Sequence, residues 1–131
     1  MNCSESINAM RIVTWNVASL RARVDYVGAF LDRVQPDILC LQEIKLLNHQ
    51  VPTSLFTTRG YDLVIHGQPK WNGVLIASRL PISDPLVGFD GEAGQARFVG
   101  CRVGGIQLVN LYCPQGDSVS SDKFTYKKAF Y

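Results

Sequence analysis

The stretch Arg11–Lys45, RIVTWNVASLRARVDYVGAFLDRVQPDILCLQEIK, decides how the rest of the chain is read. Its opening, Arg11–Trp15 (RIVTW), is a short run rich in β-branched residues, the signature of a strand that stops at Asn16. From Arg21 to Val34 the apolar residues Val24, Val27, Phe30, Leu31 and Val34 recur at helical spacing, with Arg21, Arg23, Asp25, Asp32 and Arg33 on the other side. Pro36 ends that helix, since it has no amide to donate. Asp37–Gln42 (DILCLQ) is a second strand, nearly all apolar, which implies cover on both faces. Strand, helix, strand is a crossover unit, so the two strands run parallel with a right-handed connection.

Outward from that unit, the 131 residues are 47% hydrophobic and 18% charged, the profile of one globular body able to bury its own core. A disordered or fibrous chain is excluded. The net charge of +2 is spread rather than clustered, and no block of like charges forms a nucleic-acid tail. Nothing approaches the roughly 20 apolar residues a membrane helix needs. Met1–Met10 (MNCSESINAM) has neither the basic start nor the apolar run of a signal peptide, and residues 1–9 are expected to be a disordered extension. Cys3, Cys40, Cys101 and Cys113 lie far apart with no CxxC pair. Cys40 and Cys101, set in apolar runs, are expected as buried thiols rather than disulfide or zinc partners. A reducing cytoplasm fits.

Beyond Lys45 the reading is coarser. His49–Arg59 is a short helix or a turn. Tyr61–His66 and Gly73–Ser78 read as strands around the turn-rich loop Gly67–Asn72 (GQPKWN). Pro81–Gln95 carries five Gly or Pro residues and no periodicity, so a surface loop is expected. Ala96–Val103 and Ile106–Tyr112 alternate as strands, and Gly104-Gly105 between them is a hairpin signal. Ser121 or Asp122 could cap a helix that begins at Lys123 and is still running at Tyr131.

Functional groups of open α/β sheets gather beyond the carboxyl ends of strands. Asn16, Glu43 and Tyr112 terminate strands here, and the crossover puts Asn16 and Glu43 on one rim. Tyr112 joins them if its strand runs parallel. Each also has a bland reading: Glu43 as a solvated carboxylate paired with Lys45, Asn16 as a turn former, Tyr112 as an amphipathic strand residue. A lone strand-end carboxylate is equally a common Mg²⁺ ligand, because that ion keeps most of its waters. Lys70-Trp71 is a basic and aromatic pair of the kind that meets nucleic acid, though the indole could instead fold back onto the sheet. Arg21 and Arg23 at a helix start are disfavoured by the helix dipole, a cost that a bound anion would relieve. His49 and His66 have no ligand-spaced partners.

Five segments in order, Met10–Arg23 (MRIVTWNVASLRAR), Gln35–Lys45 (QPDILCLQEIK), Gly60–Arg79 (GYDLVIHGQPKWNGVLIASR), Gln95–Gly100 (QARFVG) and Val109–Gly116 (VNLYCPQG), resemble exodeoxyribonuclease III and its AP-endonuclease relatives. These belong to the endonuclease/exonuclease/phosphatase, or DNase I-like, superfamily. The resemblance runs from Met10 to Tyr131 and implies an α/β (α+β) fold: the N-terminal half of a four-layer α/β sandwich. On that reading residues 10–131 supply mainly one mixed sheet and its outer helix, with the C-terminal half absent.

The resemblance also implies roles. Asn16 matches the active-site Asn, Glu43 the metal-binding Glu of LQE with Asn16 beside the metal, and Tyr112 the Tyr of Y-x-P that contacts the reacting phosphate. Arg21, Lys70, Trp71, Asn72 and Gln115 match DNA-backbone contacts. The implied cofactor is Mg²⁺, with Mn²⁺ as the alternative ion. The implied partner is double-stranded DNA with abasic sites or 3′ ends. Ala18 departs from the Asp or Asn that many relatives carry two residues after the active-site Asn. The GDxN and SDH motifs that activate water and assist the phosphate occur nowhere in these 131 residues. The chain alone is therefore expected to be inactive, and either to self-associate or to need its missing half. Two alternatives remain: a phosphatase- or phospholipase-like member of the superfamily, and a non-catalytic DNA-binding or interaction remnant.

Overall fold

A computed structural model describes residues 10–88 and 94–113, and within them the crossover unit forms as its sequence pattern dictates. Strand β1 (Ile12–Asn16) pairs in parallel with β2 (Ile38–Gln42), in register Ile12 to Ile38 and Asn16 to Gln42. Helix α1 (Val24–Val34) connects them. It begins three residues later than the spacing suggested, because Arg21–Arg23 form a 3-10 turn that leaves both arginines exposed ahead of the helix proper. It ends where Gln35 turns left-handed just before Pro36. A short helix, α2 (Ser54–Thr57), follows, and its neighbour Arg59 clasps Asp32 of α1 through Nε at 2.8 Å and Nη2 at 3.1 Å.

Strands β3 (Asp62–His66) and β4 (Val74–Ser78) complete a first, mixed sheet in the order β1-β2-β4-β3. Strands β5 (Ile82–Val87), β6 (Phe98–Val103) and β7 (Ile106–Leu111) form a second, antiparallel sheet in the order β5-β6-β7. The Gly104-Gly105 hairpin closes with Val103 opposite Ile106, and Gly104 takes the positive φ of 59° that such a tight turn favours. Strand β5 lies inside the segment expected to be a loop. Its period is broken by Asp84 at φ 49° and by Pro85, and its pairing with β6 shifts register between Ser83 and Leu86. An edge strand with a bulge tolerates that proline, and the same bulge hides the alternation from the sequence.

Two cores result. Leu39, Leu41, Leu75 and Ala77 turn to the helix side, where they meet Val27 and Leu31 of α1, Leu20 and Phe56. Ile38, Cys40, Val64, Val74 and Ile76 turn the other way and meet Val99, Cys101 and Val103 of β6. The described residues thus form three layers, helix, sheet and sheet. The expected mixed sheet with its outer helix is present, and the hairpin strands add a second sheet over β2, β3 and β4. Among the described residues nothing covers the β1 end of that face, strand β1 has a neighbour on one side only, and Ile12 is 47% exposed. On the helix side of the same edge an open groove of about 910 Å³ is lined by Trp15, Phe30, Tyr26, Val34, Arg23 and Arg33. Among the described residues no helix is long and apolar enough to cross a membrane. The extension at residues 1–9 and the helix expected after Lys123 lie outside them.

Cys40 and Cys101 are buried free thiols, as expected, while Cys113 is exposed. Burial, with Cys101 adding to it, pushes the Cys40 thiol up to about 12. A raised folded pKa means full stability below the unfolded thiol value and a loss as pH rises above it, near pH 8.5. With Cys3 replaced by serine, an aromatic disulfide reagent should label Cys113 in the native protein, and Cys40 and Cys101 only after unfolding. The melting temperature should fall through the alkaline range, and Cys40→Ala should flatten that fall.

Candidate active site at the strand ends

The backbone ladder between β1 and β2 does not stop where the strands do. Val17 N–H donates to Gln42 O at 3.0 Å, Ser19 N–H to Glu43 O at 2.8 Å and Leu20 N–H to Ile44 O at 3.1 Å. To keep those bonds while turning away from the sheet, the chain passes through left-handed conformations at Ala18 (φ 49°), Ser19 (105°), Glu43 (56°) and Lys45 (58°). Non-glycine residues resist that region, and such strain persists where surrounding contacts over-determine it. Lys70 (φ 69°) and Asn72 (55°) add two more in the loop that docks on the same turn. This concentration of strain is a second, independent mark of the site.

The ladder brings Asn16 and Glu43 together. The Asn16 amide donates from Nδ2 to Glu43 Oε2 at 2.5 Å, while its Oδ1 accepts from Ala18 N–H at 3.1 Å. This amide thus bridges the Glu43 carboxylate and the backbone of the turn at Ala18. Lys45 Nζ stands 3.8 Å from Glu43 Oε1, a loose pair between partly exposed groups. Tyr112 completes the trio from the second sheet, just past β7, rather than from a strand parallel to β1. Burial first, then the nearby Glu43 carboxylate through its hydrogen-bonding reach and its charge, raise the Tyr112 phenol above its ordinary range, and Arg97 pulls it back.

Arg97, to which the sequence reading gave no role, stacks its guanidinium over the Tyr112 ring at 4.8 Å and donates from Nη1 to Tyr112 O at 3.2 Å. Its Nε donates to Gln95 Oε1 at 2.8 Å, an oxygen that also accepts from Asn72 Nδ2 at 3.3 Å. The loop Gly67–Asn72 is thereby tied to Tyr112, and it is stitched to Glu43 as well: Ile44 N–H donates to Gly73 O at 3.1 Å and Lys45 N–H to Asn72 O at 3.0 Å. Asn72, matched to a DNA contact, is 7% exposed and spends its amide on Gln68 and Gln95, so its side chain serves the loop. Trp71 does not fold back; it is 68% exposed, with Lys70 exposed beside it. Arg21 is exposed in its 3-10 turn. Gln115 lies outside the described residues. Among the described residues no group of three or more His, Cys, Asp or Glu could hold a metal ion, so Glu43 is the one carboxylate in the trio available to do so.

The described residues thus form a sandwich whose strained strand-end rim carries an acid, an amide and a phenol. The chain belongs to the endonuclease/exonuclease/phosphatase family, whose model matches residues 13–113. It is 33% identical to exodeoxyribonuclease III of Haemophilus influenzae over 93% of this chain and 48% of that protein. Among solved structures it superposes on the 3′-5′ exonuclease NExo of Neisseria meningitidis with a TM-score of 0.87 and 37% identity, over 92% of this chain and 48% of that one. An AP endonuclease from Archaeoglobus fulgidus matches with a TM-score of 0.85 and 39% identity, over 90% and 46% of the two chains. The chain spans about half the length of these relatives. The family works with divalent metal ions.

Gly73 holds φ +89°, and a Cβ there would meet Ile44 Cγ1 at 2.6 Å. Gly73→Ala should therefore prise the Lys70–Asn72 loop from the Glu43 turn and lower stability by about 1–3 kcal/mol. Thermal melts check this.

Proposed function

We propose that the chain is the substrate-positioning part of a divalent-metal-dependent DNA-repair phosphodiesterase that acts on double-stranded DNA at abasic sites or 3′ ends. The observation that carries the reading is the convergence of Asn16, Glu43 and Tyr112 on one rim from two different sheets. The donor set fits Mg²⁺, with Mn²⁺ as its substitute. That ion binds through one or two carboxylates and fills its remaining positions with water and phosphate oxygens, which matches a lone Glu43. When bound, it supplies Lewis-acid neutralisation of the charge that develops on the phosphate.

The chain's own residues do the rest. Asn16 fixes the carboxylate plane of Glu43 through Nδ2. The Tyr112 hydroxyl keeps its proton at neutral pH and can donate a hydrogen bond to a non-bridging phosphate oxygen. Arg97 adds a cation beside that phenol. Lys70 and the projecting Trp71 present charge and a stacking face to a duplex backbone, with Arg21 as a further phosphate contact. Water activation is a different matter. GDxN and SDH are absent from the 131 residues, so positioning is present without the groups that prepare the nucleophile. The free thiols Cys40 and Cys101 suit a reducing cytoplasm.

Three outcomes test the reading. The chain alone should leave an abasic-site duplex intact while binding Mn²⁺, detected by the loss of free-ion paramagnetic resonance, and Glu43→Gln should weaken that binding by at least roughly tenfold. A chimera joining Met10–Tyr131 to the C-terminal half of the Haemophilus exodeoxyribonuclease III should incise the duplex with Mg²⁺ and not with EDTA. A folded chimera inert on abasic, 3′-recessed and 3′-phosphorylated DNA would refute the proposal. Self-association through the open β1 edge is also proposed, since unpaired strand edges recruit further strands. Light scattering should show oligomers that Ile12→Lys reduces.

A further inference from the structure

Behind the rim sits a pair of buried amides that the site as described does not use. Asn110, on β7, is 3% exposed, and Gln42, the last residue of β2, is 9% exposed. Asn110 Nδ2 donates both hydrogens across the sheet gap, to Leu41 O and Leu75 O, each at 2.9 Å. Its Oδ1 accepts from Gln42 Nε2 at 2.8 Å, and Gln42 Nε2 also donates to Thr14 Oγ1 at 2.8 Å. One side chain of the second sheet is thus pinned to β2 and β4 of the first, and through Gln42 to β1. The amides lie beside the apolar inter-sheet core of Cys40, Val74 and Val99.

Stability alone is a thin account of them. A satisfied buried hydrogen bond contributes little net free energy, although an apolar replacement would also leave Leu41 O and Leu75 O short of a donor. What a hydrogen-bonded pair adds over an apolar one is a fixed position, because apolar contacts slide and these bonds do not. The position matters here. Glu43 follows Gln42 directly, and Tyr112 lies two residues beyond Asn110. At about 3.3 Å per strand residue, the pair is within roughly 7 Å of both groups along the chain. The two arms of the site hang from opposite sheets, and this is a buried polar joint between them next to the rim.

We propose that Asn110, acting with Gln42, is a positioning residue: it sets the separation of the two sheets at the rim and thereby the contact of Glu43 with Tyr112. The proposal rests on the reading of that rim as the active site, and its test separates the two. With 3-fluorotyrosine placed at position 112, Glu43→Gln should move the fluorine resonance of the otherwise native chain. The same step should leave it unmoved in Asn110→Leu. Val64→Ala, which loosens the same inter-sheet core without touching the amides, should keep the response. Gln42→Met breaks the pair from the other side and should behave as Asn110→Leu does, which covers failure of the latter to fold.

A response that persists in the amide variants overturns the proposal. So does one that vanishes equally in Val64→Ala, or one missing from the native chain. Mn²⁺ affinity should fall roughly tenfold in Asn110→Leu relative to Val64→Ala, in the range usual for groups that orient a ligand; equal affinities would count against it. If the native chain binds no Mn²⁺, the metal reading of Glu43 fails while the fluorine response still decides on Asn110.

Discussion

Strand β2 is held from both sides, and the rest of the molecule is arranged around that fact. Ile38 through Gln42 are all buried: Leu39 and Leu41 lie against the layer of α1, Ile38 and Cys40 against β6. A slip of one residue would exchange the two faces and send a helix-side leucine into the space built for Cys40, so the register is strongly specified. Glu43 is the next residue. Its carboxylate inherits the fixed position of the strand, and the left-handed turn that follows points the chain back toward the β1 ladder instead of into solvent.

The second sheet does two things at once. Val99, Cys101 and Val103 close the inner face of the first sheet, and the return strand β7 carries Tyr112 to the rim. Packing and site assembly are therefore coupled: the apolar burial that seals Ile38, Cys40 and Ile76 is what brings a phenol on one sheet to a carboxylate on the other. The Gln95, Arg97 and Asn72 hydrogen bonds extend the coupling to the Trp71 loop, so three separate turns share one set of partners.

The crossover unit was plain in the sequence because periodicity and proline placement both spoke for it, and so was the rim it creates for Asn16 and Glu43. The hairpin at Gly104-Gly105 was equally plain. Strand β5 was not, since Asp84 and Pro85 interrupt its alternation at a bulge that only the pairing with β6 makes sensible. The second layer was missed for a different reason. Alternation tells which face of a strand is buried but not what buries it, and β6 and β7 read the same in either sheet. Tyr112 therefore reached the site by an unforeseen route. Arg97 sat inside a quoted motif without a role, because its meaning lies in a ring 4.8 Å away that is distant along the chain. Asn72 was matched to a contact residue by resemblance alone; the hydrogen bonds that turn it inward involve Gln68 and Gln95, which no local pattern announces.

The charge around the rim is light for a site that would face a polyanion. A single carboxylate is met by Lys45 at 3.8 Å and, across Tyr112, by Arg97 over the ring. Neither cation is locked to Glu43 by a short bond, and the neutral Asn16 amide holds Oε2. A partly exposed acid needs no full neutralisation, because water screens it. Yet the same acid would repel an approaching phosphate unless a further positive charge lay between them. The cation proposed above would supply that charge at the rim, where two sheets and a buried amide pair hold an acid and a phenol near each other.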